Sequence, residues 1–356
     1  MENLFPIIFD NCYVFDSITF FSCYTYYVSI PQGDCINLPQ SLFHHKSIVK
    51  MNLQKTRMKY KSPLRYPGSK RRLVSIIREA LEINNLRPEF YIEPFVGGGS
   101  VFLHLLQHEM VEKVILVDRD PWIASFWQTV FFDTDWLLGK IETTPITLEN
   151  WYAFKHLKPD GIREQALTCL FLNRTSFSGI LEKHVGPLGG KNQTSPYKID
   201  CRFPKDRLIQ QIQEISSFKD QVFAVWNLDW FDAMQKIENE QVAGTISTDS
   251  IFFYLDPPFF EAADKLYRFY FDQAEHIALR DYLEHLQSPW ILSYDFTEKV
   301  NELYGKIIET GTNGTKHRQV EFLYTLATLP KRRKGQEVLL SNLKKLPETN
   351  SSSKEK

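Results

Sequence analysis

The chain has 356 residues, 43% of them hydrophobic and 24% charged, with a net charge of −1. That length suits one large domain or two smaller ones, and the charge balance excludes a polycation that holds nucleic acid through bulk charge alone. The five cysteines are an odd count with no C-x-x-C pair, which argues against a disulfide framework and favours a reducing cytoplasm.

Residues 1–57 are dense in Phe, Tyr and Ile, but Asp10, Asn11, Asp16 and Ser17 interrupt the apolar runs. No stretch there reaches the ~18–20 residues of a membrane span, and the start lacks the basic residues of a signal peptide. The segment reads as a dispensable extension, with Met51 and Met58 as alternative translation starts.

From residue 58 the pattern alternates. Apolar spacing gives a helix over 73–83, a strand over 89–95, a helix over 100–108, a strand over 113–118 and a helix over 121–131 with Pro121 in its first turn. Between 142 and 220 the alternation stops. Helical "REQALTCLFLNRTSF" and "KDRLIQQIQEISSF" flank a loop that contains Gly, Pro, Lys183, Lys191, Lys198 and Arg202. This reads as a second unit, inserted into the first. Strands over 221–228, 250–256 and 289–295 follow, with a helix over 274–287. "KIIETG" and "QVEFLYTLA" pattern as an antiparallel pair around a polar turn, and the basic, Ser-rich 331–356 reads as a mobile tail. Alternating β and α with apolar strands implies an α/β fold, a parallel sheet covered on both faces, built from 58–141 and 221–330.

Two stretches carry chemistry. "YIEPFVGGGSVF" is strand, glycine run, helix: Gly97, Gly98 and Gly99 allow a tight turn, and the helix opening at Ser100 points free N–H groups at a ligand. Asp118 ends the next strand, where an acid accepts from ribose hydroxyls, so glycine loop and acid together point to an adenosine-containing ligand, the alternative being a plain tight strand-to-helix turn. A nicotinamide dinucleotide is one choice, although the loop is G-G-G and not G-x-G-x-x-G. Glu93 suits S-adenosylmethionine (SAM) better, as an acceptor for its ammonium group. In "YLDPPFF", Asp256 ends an apolar strand, and Pro257 and Pro258 stiffen the turn and remove two N–H donors. The Asp256 carboxylate and the Pro257 carbonyl form a pair of acceptors for an exocyclic amine, with Phe259 placed to stack on a heterocycle.

In this order, "SPLRYPGSKRRL", "YIEPFVGGGSVF", "LVDRDP", "LFLNRTSFSGI" and "FFYLDPPFF" resemble the Dam-like DNA adenine methylases of bacteria and phages. The resemblance spans roughly residues 60–330 and implies a Rossmann-like SAM-dependent methyltransferase sheet. It also implies a mainly helical target-recognition domain inserted at 142–220. The implied substrate is adenine N6 in double-stranded DNA, reached by base flipping, without a metal. A cognate restriction endonuclease encoded nearby and a monomeric, cytoplasmic enzyme belong to the same expectation.

Carried over residue by residue, the resemblance assigns cofactor contacts to Tyr66, Lys70, Glu93, Phe95, Gly97 and Gly99. Asp118 would hold the ribose, Asp229 would meet the adenine ring, and Asp256 would serve both the cofactor edge and the target amine. Asn173, Arg174 and Ser176 would approach the DNA or shape the target pocket, while Lys183 and Lys191 would meet phosphates or bases. Two departures stand out. Tyr66 replaces a frequent tryptophan, in Y-P-G-S-K rather than W-x-G-G-K, and Phe259 stands where tyrosine is common. The alternatives are a cytosine-N4 methyltransferase and a decayed, non-catalytic DNA-binding homologue.

Overall fold

The computed structural model describes residues 61–347, apart from 67, 248–249, 261–262, 311–314 and 325–332, together with four short strands nearer the start. Residues 1–57 and 58–356 are two compact units. In the first, β1 (Tyr13–Phe15), β2 (Ile18–Phe20), β3 (Tyr27–Ser29) and β4 (Cys35–Asn37) pair antiparallel in chain order. None of these strands was expected from the pattern.

The second unit opens with α1 (Val74–Ile83), β5 (Phe90–Glu93), α2 (Ser100–Gln107), β6 (Lys113–Val117) and α3 (Pro121–Phe132). The Asp120 side chain accepts from Trp122 N and Pro121 occupies the first turn of α3, so that helix is both capped and pre-set in φ. Four helices follow: α4 (Thr134–Thr143), α5 (Leu148–His156), α6 (Ile162–Thr175) and α7 (Lys205–Ser216). The chain then returns through β7 (Val222–Trp226), α8 (Trp230–Val242), β8 (Ile251–Leu255), α9 (Gln273–His285), β9 (Trp290–Asp295) and α10 (Glu298–Thr310). It closes with β10 (Lys316–Tyr324) and β11 (Arg333–Ser341).

The seven-stranded sheet has the order β10-β11-β9-β8-β5-β6-β7. All pairs from β9 to β7 are parallel, and β11 is antiparallel to both its neighbours. From β5 the chain steps outward through β6 to β7, then returns to β8 on the other side of β5. That reversal makes β5/β8 the switch point, where open α/β sheets bind ligands beyond the carboxyl ends of the strands.

Side chains of a strand alternate between faces, and the sheet is buried on both. Tyr91, Val114, Leu116, Phe252 and Tyr254 belong to the core that contains α1, α2 and α3. Phe90, Ile92, Ile115, Val117, Ile251, Phe253 and Leu255 belong to the other, with α8 and α9. The α4–α7 segment does not stand apart. Its Leu137, Ile141, Trp151, Phe171 and Leu208 share the first core with Leu103 and Phe126, and the Ser125 hydroxyl donates to Gln165 Oε1 at 2.7 Å between α3 and α6. The boundary expected at 142 falls inside α4.

Two expectations near the end of the chain are corrected. "KIIETG" does not supply a strand, because α10 runs through residue 310. Its place beside β10 is taken by β11, drawn from the segment expected to be a mobile tail. Val338, Leu339 and Leu340 explain this: they are buried, and β11 fills the gap between β9 and β10. The helix α8 carries Trp230, Ala233, Met234 and Ile237 at helical spacing, a signal present in the sequence but not read there. Among the described residues, no helix is long and apolar enough to cross a membrane.

Candidate active site

A cleft opens at the switch point. It is bordered by the turn before α1, the glycine loop, the ends of β6, β7 and β8, and residues 267–271. Tyr66, Lys70, Glu93, Phe95, Gly97, Gly99, Asp118, Asp229 and Asp256 all line it, so the structure brings together every residue assigned to the cofactor.

The glycine loop is built for close approach. Gly97 and Gly99 take positive φ, +42° and +63°. A Cβ on Gly97 would lie 2.7 Å from the Tyr66 ring, so the aromatic rests directly on the loop backbone. Asp118 fastens this turn. Its Oδ2 accepts from Gly97 N at 2.9 Å and its Oδ1 from Asp120 N at 2.8 Å. Burial, reinforced by the neighbouring Asp120, pushes the Asp118 carboxyl up to about 7. Glu93 is 3% exposed, and burial holds its carboxyl well above the usual range despite a 3.0 Å bond donated by Tyr91. Among the described residues neither acid forms an ion pair with a lysine or arginine, although Arg268 acts on Asp118 from a distance, and two such buried acids favour a ligand that brings its own donors or positive charge.

Asp229 plays a local part as well. It caps α8 by accepting from Phe231 N at 3.0 Å and faces Arg119 at 3.6 Å. Phe95 packs edge-on against Phe271, with ring centroids 5.6 Å apart. On the outer side, Arg268 donates to Asp120 at 2.7 Å and lies 3.5 Å over the Trp122 ring, which fixes the 267–271 segment against α3.

Asp256 sits at the end of β8, whose five residues are all buried. The Ser293 hydroxyl donates to Asp256 Oδ1 at 2.9 Å, and Lys70 Nζ lies 3.2 Å from the same oxygen. Ser293 has one proton to give, so the 2.8 Å contact between Tyr254 and Ser293 has Tyr254 as donor. Both anchors fall on Oδ1, and neither engages Oδ2. Burial raises the Asp256 carboxyl to about 6, opposed by Lys70 and assisted by Glu337. Phe259 lies 5.3 Å from Lys70 Nζ and 5.8 Å from Tyr267, centroid to centroid in the second case. Gly68, with φ +74°, makes room for it: a Cβ there would lie 2.8 Å from the Phe259 ring.

The α6 terminus divides the residues assigned to DNA. Asn173 and Ser176, expected to approach the DNA or to shape the target pocket, are 0% exposed. Asn173 Oδ1 accepts from Arg65 N at 2.7 Å, and its Nδ2 donates to Arg65 O at 3.1 Å and Gly179 O at 2.8 Å. Ser176 accepts from Trp151 Nε1 at 3.1 Å. With the Arg65 guanidinium donating to Ser176 O at 3.3 Å, these bonds tie the arm that leads into Tyr66 to the end of α6. Arg174 differs: its Nε is buried without a hydrogen-bond partner among the described residues. Burial, with Arg65, Arg202 and Arg207 nearby, lowers the Arg174 guanidinium to about 10. Lys183 and Lys191 are exposed.

Sequence reasoning missed Ser293, Asp120, Arg268 and Tyr267. The first two had a signal, since each lies at or near a strand end. Arg268 and Tyr267 had none beyond an aromatic-rich run.

The D12 class N6 adenine-specific DNA methyltransferase family model matches residues 66–320, and the chain belongs to that family. Among curated proteins it is similar to the type II methyltransferase M.MjaIII of Methanocaldococcus jannaschii, 30% identical over 139 residues, which cover 35% of this chain and 48% of that protein. It is also similar to the type II methyltransferase M.CviBI of Paramecium bursaria Chlorella virus NC1A, 21% identical over 225 residues, covering 62% of this chain and 78% of that one. The chain thus spans about half the length of the first relative and more of the second.

Proposed function

We propose that this protein transfers a methyl group from SAM to N6 of adenine at a specific site in duplex DNA, after rotating the base out of the helix. One observation carries the reading: Asp256 lines the cleft and, among the described residues, is anchored through Oδ1 by Ser293 and Lys70, which leaves Oδ2 to accept; the Pro257 carbonyl is its partner acceptor in this reading.

The residues of the cleft fit SAM. Asp118, already fastened to the glycine loop, keeps lone pairs for the ribose hydroxyls. Glu93 offers an acceptor where a ligand ammonium offsets the cost of its buried charge, and Tyr66 and Phe95 supply apolar surface. Asp229 borders the part of the cleft suited to the purine. SAM supplies the electrophilic methyl; the protein supplies position and charge.

Adenine N6 is a weak nucleophile, because its lone pair is delocalised into the ring. Asp256 Oδ2 and the Pro257 carbonyl accept the two amino hydrogens, draw N6 toward tetrahedral geometry and stabilise the positive charge that grows there. Phe259 stacks on the flipped base and recovers part of the few kcal/mol lost on unstacking. Arg174, with Lys183 and Lys191, faces the phosphates, and the α4–α7 segment carries target recognition. By analogy with relatives named type II methyltransferases, the reaction protects DNA beside a cognate endonuclease. The enzyme works as a cytoplasmic monomer, and residues 1–57 are dispensable: a chain starting at Met58 is expected to methylate DNA at the rate of the whole one.

Tritiated methyl transfer from SAM to unmethylated DNA, followed by nucleoside separation, tests the reading. Label in N6-methyladenine is expected. Label in cytosine, or no incorporation, overturns it.

A further inference from the structure

One buried charge has no part in the reaction as proposed. Glu337, on β11, is 3% exposed, and its Oε1 lies 3.3 Å from Lys70 Nζ. The same ammonium is 3.2 Å from Asp256 Oδ1 and is itself only 4% exposed. A single lysine therefore stands between two carboxylates in the interior. Glu337 also lies outside the residues 66–320 that the family model matches.

Charge counting makes this arrangement informative. Lys70 with Asp256 alone would be a neutral buried pair. The second carboxylate brings a further acidic group against the same ammonium, 3.3 Å away. It also competes for the lysine: an ammonium held from two sides cannot move wholly onto either. Without Glu337, Lys70 is free to close onto Asp256 and take both carboxylate oxygens, which quenches the acceptor aimed at the cleft.

We infer that Glu337 is a positioning residue for methyl transfer: by holding Lys70 from the far side, it keeps one oxygen of Asp256 free and basic enough to accept from the target amine. The inference rests on the reading of Asp256 given above. The groups facing Asp256 are known element by element. Lys70 comes from the turn before α1, Glu337 from β11, Ser293 and Tyr294 from β9, Tyr254 from β8, and Glu93 and Tyr91 from β5, with Tyr66 at the cleft wall. Of these only Lys70 is cationic. Glu337 raises the Asp256 carboxyl and Lys70 lowers it, both after burial itself, so removing the Glu337 charge moves Asp256 downward.

The test is the pH dependence of kcat for methyl transfer to DNA in the full chain, for wild type, E337Q and E337D. Gln has nearly the same shape without the charge, so E337Q is expected to fold. In E337Q the acidic limb of the profile should move down by about half a pH unit or more, with a plateau kcat lowered ~10-fold and KM for SAM within ~2-fold. Asp shortens the reach, so E337D should show a smaller shift in the same direction. An E337Q limb that coincides with wild type overturns the inference, as do equal losses in E337Q and E337D, which point to packing alone. A wild type that transfers no methyl at any pH defeats the reading of Asp256 and the inference with it, and that result differs from an active wild type matched by E337Q.

Discussion

The end of β8 and the end of α6 look alike in sequence: each is an apolar run that stops at polar residues. In space they differ. At β8 the polar group emerges at the carboxyl edge of a buried sheet, beside a cleft that Asp256 lines, with Ser293 and Lys70 both on its Oδ1. At α6 the chain doubles back, and the arm around Arg65 covers the turn, so Asn173 and Ser176 are consumed by main chain and by Trp151. A strand end in an open parallel sheet is exposed by topology, because the next segment must travel to a helix layer. A helix end has no such guarantee. Polar residues after an apolar run thus line a cleft in the first setting and form internal ties in the second.

Substitutions at the two ends separate these roles. Asp256→Ala should reduce methyl incorporation by ~10³-fold or more, with the melting temperature nearly kept; substantial activity in this variant would remove β8 from the chemistry. Asn173→Ala should do the reverse. It leaves main-chain groups of Arg65 and Gly179 without their partner, at a cost of about 2–4 kcal/mol of stability in denaturant unfolding. If Asn173→Ala instead weakened DNA binding with stability intact, the contrast between the two ends would collapse.

Acidity sharpens the comparison next. Asp118 and Asp256 have folded values of about 7 and about 6, above the unfolded value of ~3.9. A carboxyl raised in this way binds its proton more tightly when folded. Its contribution to stability is full below ~3.9 and is lost as the pH rises through about 6 to 7. The ligand-free protein is therefore expected to melt at lower temperature as the pH increases across that window, and saturating SAM should flatten the trend. An Asp118→Asn variant that keeps the full slope would contradict it. The smallest effect belongs to the exposed lysines: Lys183→Ala and Lys191→Ala should each weaken DNA binding a few-fold and reduce the salt slope by about 1, leaving kcat at saturating DNA unchanged.

Much of the cleft was legible because it depends on local grammar. Gly97 to Gly99 between strand and helix, Asp118 one strand later and Asp256 before two prolines each carry their meaning within a dozen residues. What was illegible depends on distant pairing. Glu337 sits in a segment whose Lys, Arg and Ser content reads as solvated, and only the register of β11 against β9, Glu337 opposite Asp295, buries it. The Asn173 ties were hidden for the same reason, since their partner Arg65 is 108 residues away. Chemistry written at strand ends can be read from sequence; chemistry that waits on a long-range contact cannot.

The placement of β11 has a consequence for how the protein comes into being. Among the described elements this strand is the last in chain order, and it lies between β9 and β10 rather than at the sheet edge. A nascent chain can carry the glycine loop, Lys70 and Asp256 and still lack Glu337 and the strand that joins β9 to β10. Completion of the sheet and completion of the charge trio are then one event. A polypeptide stalled or cut before residue 333 would possess every motif residue and lack the strand that completes the sheet around them.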